Sequence, residues 1–208
     1  MMLRNLMRTV IGTVVVLTCL HCANQMSGIE TTNGATIFVH AERVEGTTLP
    51  YALVYLFDKE YIPFVDSGLG IATVADINGN FSFSGINIDT VSLTLISSDF
   101  KNAAYVKSGS AGVQYRAELN SLGVLKGSVV ASDSGMILVF IQGTAYYKLL
   151  SGSGVFEIGY VPQGTYAISA AVLTKPNSTS AYTIKSISAV SVVTIESGEA
   201  TSVSLTVP

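Results

Sequence analysis

Residues 154–170 have the pattern of two β-strands joined by a tight turn, and this pattern constrains the fold more than any other stretch. Phe156, Ile158 and Tyr160 are separated by single residues, a period of two that is typical of a half-buried strand. Residues 162–164 supply the turn, because proline fixes φ and the following glycine accepts a positive φ. We therefore expect a hairpin in which these three side chains share the buried face.

The same pattern occurs 75 residues earlier, which indicates an internal duplication. Residues 79–86 match residues 154–161 without a gap, so that Phe81 aligns with Phe156. The sequence therefore predicts a repeated domain rather than an isolated hairpin.

The body of the chain predicts an all-β protein. Only 12% of the 208 residues are charged, 19 are glycine, and short apolar runs alternate with turn residues, a mixture that favours strands. We expect two tandem domains, residues 35–120 and residues 121–208, each a β-sandwich of about seven strands.

We make a structural prediction for each of four segments of the first repeat. Residues 36–41 are predicted as its first strand, the counterpart of residues 124–130, and residues 45–50 as a turn region. Residues 51–57 are almost continuously apolar, which predicts a strand covered on both faces. Residues 58–70 are predicted as a longer loop.

Residues 1–21 have the features of a secretory signal. Arg4 and Arg8 precede the apolar run 10–20, which is shorter than the ~20 residues that span a bilayer. Residues 22–34 are small and polar, and they are predicted to form a flexible tether.

The end of this signal resembles that of bacterial lipoproteins, in which a cysteine receives the lipid and becomes the first mature residue. Cys22 is the favoured attachment site because the polar tether follows it, and Cys19 is the alternative. The resemblance implies a membrane partner, reached through the N-terminal lipid, and a location in the cell envelope, at the outer membrane if the cell has one.

Residues 122–208 resemble the carboxypeptidase regulatory-like domain. The resemblance rests on Lys-Gly-Ser-Val in the first strand, Val-Phe-Ile in the second, and Gly-Val-Phe-Glu-Ile-Gly-Tyr-Val-Pro-Gln-Gly-Thr-Tyr in the hairpin. It implies a prealbumin-like (Ig-like) sandwich, related to the collagen-adhesin B-type repeat. The motif is structural and implies little about function.

Two chemistries known from related domains are not expected. Collagen-adhesin repeats often contain a Lys–Asn isopeptide bond assisted by an acid; Lys126 and Glu157 fit two of these roles, but residues 202–207 contain no Asn or Asp. Transthyretin-related hydrolases use His and Arg residues, and the second repeat has neither.

No metal or cofactor is predicted. Asp76 begins a segment like the start of a calcium loop, but the twelfth position is Asn87 rather than the required glutamate, and Asn78-Gly79 favours a hairpin turn. His40 is the single histidine beyond Cys22, and one histidine without further ligands does not indicate a zinc site.

The sequence favours a non-enzymatic envelope lipoprotein that acts as a structural spacer or a binding module. The alternative is a carbohydrate- or protein-binding accessory subunit of a surface complex, with an envelope protein or polysaccharide as partner. Tyr146 and Tyr147 suggest a stacking surface, although adjacent strand residues face opposite sides. A net charge of −3 does not favour nucleic acid, and no ligand-binding residue is identified.

Overall fold

The computed structural model describes residues 34–40, 42–66, 70–86, 90–107, 113–175 and 181–208, and strands are the only regular structure within them. The predicted signal (residues 1–21), both cysteines and the tether up to residue 33 lie outside the described residues, and Gly34, the last residue of the predicted tether, lies in β1. The first half contains β1 (Gly34–His40), β2 (Glu42–Thr47), β3 (Leu53–Asp58), β4 (Ile71–Val74), β5 (Asn80–Ile86), β6 (Val91–Ile96), β7 (Asn102–Lys107), β8 (Gln114–Glu118) and β9 (Asn120–Ser121). The second half contains β10 (Gly123–Ala131), β11 (Met136–Ile141), β12 (Tyr147–Leu150), β13 (Gly154–Val161), β14 (Gly164–Thr174), β15 (Thr183–Ile187), β16 (Ser191–Ile195) and β17 (Ala200–Val207).

The first half is a β-sandwich of two antiparallel sheets. Sheet 1 has the order β5-β2-β1-β8, and sheet 2 has the order β4-β3-β6-β7-β9. Ile37, Val44 and Phe81 of sheet 1 share one buried cluster with Leu56 and Leu93 of sheet 2. The core therefore lies between the sheets, as alternating strands require.

The second half is a separate sandwich. Sheet 3 has the order β13-β10-β17, and sheet 4 has the order β12-β11-β14, with β15 and β16 both paired to β14. The pair β10–β17 is parallel, and the other pairs are antiparallel. Leu125 and Phe156 of sheet 3 pack with Val139 and Ile168 of sheet 4. The all-β tandem-sandwich prediction is confirmed. The hairpin predicted at residues 154–170 was wrong: β13 lies in sheet 3 and β14 in sheet 4, so the turn at residues 162–163 joins two sheets and the two strands do not pair.

A glycine placed opposite a buried phenylalanine is common to both sandwiches. Gly46 pairs with Phe81 in the first and Gly127 with Phe156 in the second. A Cβ on Gly46 would lie 2.9 Å from the Phe81 ring, and one on Gly127 would lie 2.7 Å from the Phe156 ring. Both glycines thus leave the space that the ring fills.

The strand predicted at residues 36–41 is present as β1, but its assignment as the counterpart of residues 124–130 was wrong. Residues 45–47 of the predicted turn 45–50 belong to β2. β2, not β1, has the position of β10, since β2 pairs with β5 as β10 pairs with β13. The pattern in β2 is weak because Val44 is its one large apolar residue and Gly46 leaves a gap for Phe81. β1 is an additional strand between β2 and β8, antiparallel to both.

The two sandwiches meet at a tight junction. β9 ends at Ser121 and β10 begins at Gly123, so Leu122 is the one residue between them. The ring centroids of Tyr105 and Tyr166 lie 4.6 Å apart across the junction, and Tyr105 packs against the second core.

Backbone and hydroxyl groups close the same junction. The Ser92 hydroxyl donates a hydrogen bond to the Gly143 carbonyl, and the Gly143 N–H donates to the Tyr61 carbonyl at 2.8 Å. Gly143 has a φ of +71°, and a Cβ there would meet the Lys59 carbonyl oxygen at 2.9 Å. Glycine is therefore required for this close approach.

The loop that follows β3 covers the outer face of sheet 4. Its residues Ile62 and Val65 pack against a buried cluster formed by Leu138, Phe140, Ala171 and Leu173. The second sandwich thus has its own inner core but depends on the first for part of its outer cover.

Candidate functional site

The strand β13 contains a bulge that places Tyr160 on the surface. Gly123 pairs with Val161, but Leu125 pairs with Ile158, so β13 has one residue more than β10 between these pairs. Phe156 and Ile158 are buried and Glu157 is exposed, as predicted. The prediction that Tyr160 shares their buried face was wrong: the bulge turns Tyr160 outward, 76% exposed, and buries Val161 instead.

The first sandwich has the same bulge with a glycine in it. Arg43 pairs with Ser84 and Glu42 with Ile86, which leaves Gly85 unpaired at the position that matches Tyr160. Gly85 has a φ of +69° and Tyr160 a φ of +61°. A left-handed conformation is free for glycine but costs roughly 1–2 kcal/mol for a residue with a Cβ. The backbone of Tyr160 is therefore strained, whereas that of Gly85 is not.

A second exposed aromatic residue with a positive φ lies beside the junction. Phe100 has a φ of +59° and is 59% exposed. It is held in the turn between β6 and β7, where its N–H donates to the Ser97 carbonyl at 2.9 Å. The Asp99 carboxylate accepts hydrogen bonds from the Ser97 hydroxyl at 2.7 Å and the Lys101 N–H at 3.1 Å. These bonds, that of Ser97 first, lower the pKa of Asp99.

Phe100 and Tyr160 border one cavity of about 510 Å³, which we call the aromatic groove. The junction residues 121–124 form its floor, and Lys101 and Glu157 contribute charged side chains. The groove thus combines residues of both sandwiches.

The charges of the aromatic groove are paired. Glu157 Oε2 lies 3.1 Å from Lys126 Nζ, and Lys101 Nζ lies 3.9 Å from Asp99 Oδ2. Both pairs are largely exposed and contribute little to stability. The groove accordingly offers hydrogen-bonding groups without a net charge.

The residues considered for an isopeptide bond lie together on the surface. Lys126 and Glu157 are cross-strand partners in an exposed ion pair, and Ser202 is opposite Lys126 on β17. The described contacts of Lys126 are therefore those of a surface lysine.

Asp76 organises a turn. Its carboxylate accepts hydrogen bonds from the N–H groups of Asn78 and Asn80, at 2.7 and 2.8 Å. Bonds from the Asn80 backbone and side chain are the main cause of its lowered pKa. Gly79 has a φ of +79°, as a tight turn allows, but the hairpin prediction for this segment was wrong, because β4 pairs with β3 and β5 pairs with β2 in the other sheet.

Among the described residues, no group of three or more His, Cys, Asp or Glu side chains could hold a metal ion. The backbone of His40 lies in β1, and nothing is described of its side chain. Within the same residues, no helix is long and apolar enough to cross a membrane.

The tyrosine pair divides as predicted. Tyr146 packs against the second core, whereas Tyr147 is exposed and its ring lies 5.9 Å from that of Phe64. Tyr146 and Tyr147 are therefore not a stacking surface. Neither Phe100 nor Tyr160 was predicted as a site residue, although the alignment of Tyr160 with Gly85 indicates that the two repeats differ at this position.

Fold and site define an all-β tandem-sandwich protein with an aromatic groove at its junction. No protein-family model and no curated protein matches the chain. The solved structures with weak similarity include the following two. GBS52, the minor pilin of the gram-positive pathogen Streptococcus agalactiae, is 14% identical with a TM-score of 0.32, over 78% of this chain and 84% of that one. The Bacillus anthracis TIE protein is 13% identical with a TM-score of 0.27, over 98% of this chain but 44% of that one. Similarity at this level carries no argument about function.

Proposed function

We propose that the protein is a non-enzymatic, lipid-anchored spacer of the bacterial cell envelope. The observation that carries this proposal is the junction between the two sandwiches. A spacer must hold its two ends at a fixed separation, and a junction with one linking residue and buried contacts on both sides provides this.

The contacts at the junction oppose a hinge motion between the two sandwiches. The Ser92–Gly143 and Gly143–Tyr61 hydrogen bonds are short-range and directional, and the Tyr105 ring is packed into the second core. Opening the junction would expose these groups to water and break each bond, so one arrangement is favoured.

The lipid anchor is proposed at Cys22 from the signal and tether that surround it. Membrane attachment through this lipid, and a location at the outer membrane where a cell has one, follow from the same proposal. The relation of the second sandwich to carboxypeptidase regulatory-like domains is also a proposal, supported by the turn between β13 and β14, in which the Tyr166 hydroxyl donates to the Pro162 carbonyl at 2.7 Å.

Replacement of the lipid-bearing cysteine tests the anchor. We expect Cys22→Ala to release the protein from the membrane fraction and to abolish metabolic labelling with a fatty acid. Cys19→Ala is the matched control and should leave both unchanged. Labelling that persists in Cys22→Ala would contradict the proposed site.

Distances between spin labels test the spacer. The two cysteines both precede the sandwiches, so labels can be placed at Ile77→Cys and Val155→Cys, two exposed positions on different sandwiches, in the Cys19→Ala/Cys22→Ala background. We expect one narrow distance distribution. A Gly-Ser insertion after Leu122 should broaden it, and an unmodified junction as broad as this control would reject the spacer function.

A further inference from the structure

We propose that the aromatic groove is a binding site for a neutral polysaccharide. The inference goes beyond the spacer function and does not depend on the lipid anchor.

The two matching bulges differ in the residue that they contain, Gly85 in the first sandwich and Tyr160 in the second. Gly85 shows that the bulge itself needs no side chain, and nothing lies within 4 Å of the place where a Cβ on Gly85 would be. At the matching position, Tyr160 combines a strained backbone with an aromatic ring left in water. Neither feature favours folding, and Tyr160 borders the aromatic groove, so a contact made outside the chain would account for it.

Phe100 repeats this combination on the other sandwich, and it borders the same cavity. Two exposed aromatic rings that are unfavourable for folding thus converge on one groove. The fixed junction holds them in a constant relation, which reduces the entropy lost when a ligand binds.

The chemistry of the groove favours a sugar polymer. The C–H faces of a pyranose ring pack against aromatic rings, while its hydroxyls project sideways toward polar groups. Lys101 and Glu157 border the groove and can exchange hydrogen bonds with hydroxyls. A volume of about 510 Å³ is within the range of small-molecule sites, roughly 300–1,000 Å³.

The charge of the groove selects among polymers. Among its described lining residues, Lys101 is the one cation and Glu157 the one anion, and Lys101 is also paired with Asp99, so a polyanion would find no excess positive charge. The chain as a whole has a net charge of −3, which also disfavours polyanions. A neutral polysaccharide meets no such repulsion.

Affinity electrophoresis of the purified full chain tests the proposal. Native gels contain dextran, mannan, starch, xyloglucan or a mixed-linkage β-glucan as neutral probes, and polygalacturonate as the anionic probe. We expect at least one neutral polymer to retard the protein and polygalacturonate to have no effect. Phe100→Ala and Tyr160→Ala should each weaken the retardation at least about tenfold, the effect typical of an aromatic residue at the centre of an interface.

Tyr160→Gly separates binding from folding. This substitution reproduces the first sandwich, so we expect a melting temperature equal to or above that of the unaltered protein, together with loss of retardation. Tyr51→Gly is the matched control, because Tyr51 is also exposed with a positive φ, +59°, but does not border the groove. Its retardation should be unchanged.

Three outcomes would overturn the proposal. They are the absence of retardation in every neutral gel, retardation by polygalacturonate alone, and full retardation of a folded Tyr160→Gly variant. Loss of retardation in the Tyr51→Gly control, while Tyr160→Gly retains it, would also place the site elsewhere.

Discussion

A shift of one residue in the register of β13 would exchange Phe156 and Glu157 between the second core and the surface. Phe156 is 4% exposed and its ring covers Gly127, whereas the neighbouring Glu157 side chain is 60% exposed. Burying the ring is favourable, and burying an unpaired carboxylate would be strongly unfavourable. The register of β13 follows from this difference.

The effect of removing each side chain should differ accordingly. We expect Phe156→Ala to lower the free energy of unfolding by about 3–5 kcal/mol, because it leaves a cavity above Gly127. Glu157→Ala should change it by about 0.5 kcal/mol or less, since its ion pair with Lys126 is exposed. Urea unfolding of the full chain measures both, and a larger loss in Glu157→Ala would contradict the observed register.

At the residue scale, the sequence predicted the buried positions but not the bulge. Alternation identified Phe156 and Ile158, and it failed at Tyr160 because an inserted residue reverses the face of every side chain after it. A bulge follows from pairing with another strand, which periodicity within β13 does not contain. Only the comparison with Gly85 in the other repeat indicates it.

At the scale of elements, the loop after β3 has a structural role that its sequence does not show. Residues 58–70 were predicted as a loop, and residues 59–66 cover sheet 4 through Ile62 and Val65. The contact joins residues far apart in the chain, so local pattern carries no sign of it. It explains why Leu138 and Phe140, on the outer side of β11, are apolar.

This cover affects how the second sandwich behaves alone. We expect residues 122–208 to unfold cooperatively, because their inner core is largely self-contained, but with stability lowered by roughly 3 kcal/mol, about the contribution of one large apolar side chain. The exposed Leu138 and Phe140 should bind a hydrophobic dye. Ile62→Ala in the full chain removes only part of this cover, so it should lower the stability by less than the deletion of the first sandwich does.

Two results would contradict this prediction. A fragment without a cooperative transition would mean that residues 122–208 are not an independent domain. A fragment with the same melting temperature as the full chain, and no dye binding, would mean that the loop after β3 contributes nothing.

At the scale of the whole molecule, tyrosines concentrate where the sandwiches meet. Burial is the main cause of a raised pKa at Tyr105, Tyr146 and Tyr166. An unfolded tyrosine ionises near pH 10. Above about pH 10 the unfolded chain therefore binds fewer protons than the folded one, and stability falls as the pH rises.

We therefore expect the melting temperature to decrease between about pH 9 and pH 11, with a delayed appearance of tyrosinate absorbance. Tyr146→Phe removes one of these groups and should reduce the decrease. A melting temperature that is constant across this range would show that the buried tyrosines ionise without unfolding.

The additional strand β1 has a mechanical consequence under the proposed lipid anchor. If the tether begins at a lipid on Cys22, tension from the membrane enters the sandwich at Gly34, the first residue of β1. β1 is hydrogen-bonded along its length to β2 on one side and β8 on the other. A pull along the strand stretches both rows of bonds at once, in shear, instead of opening them one by one from an end. With such an anchor, β1 would resist drag at the point where the force arrives.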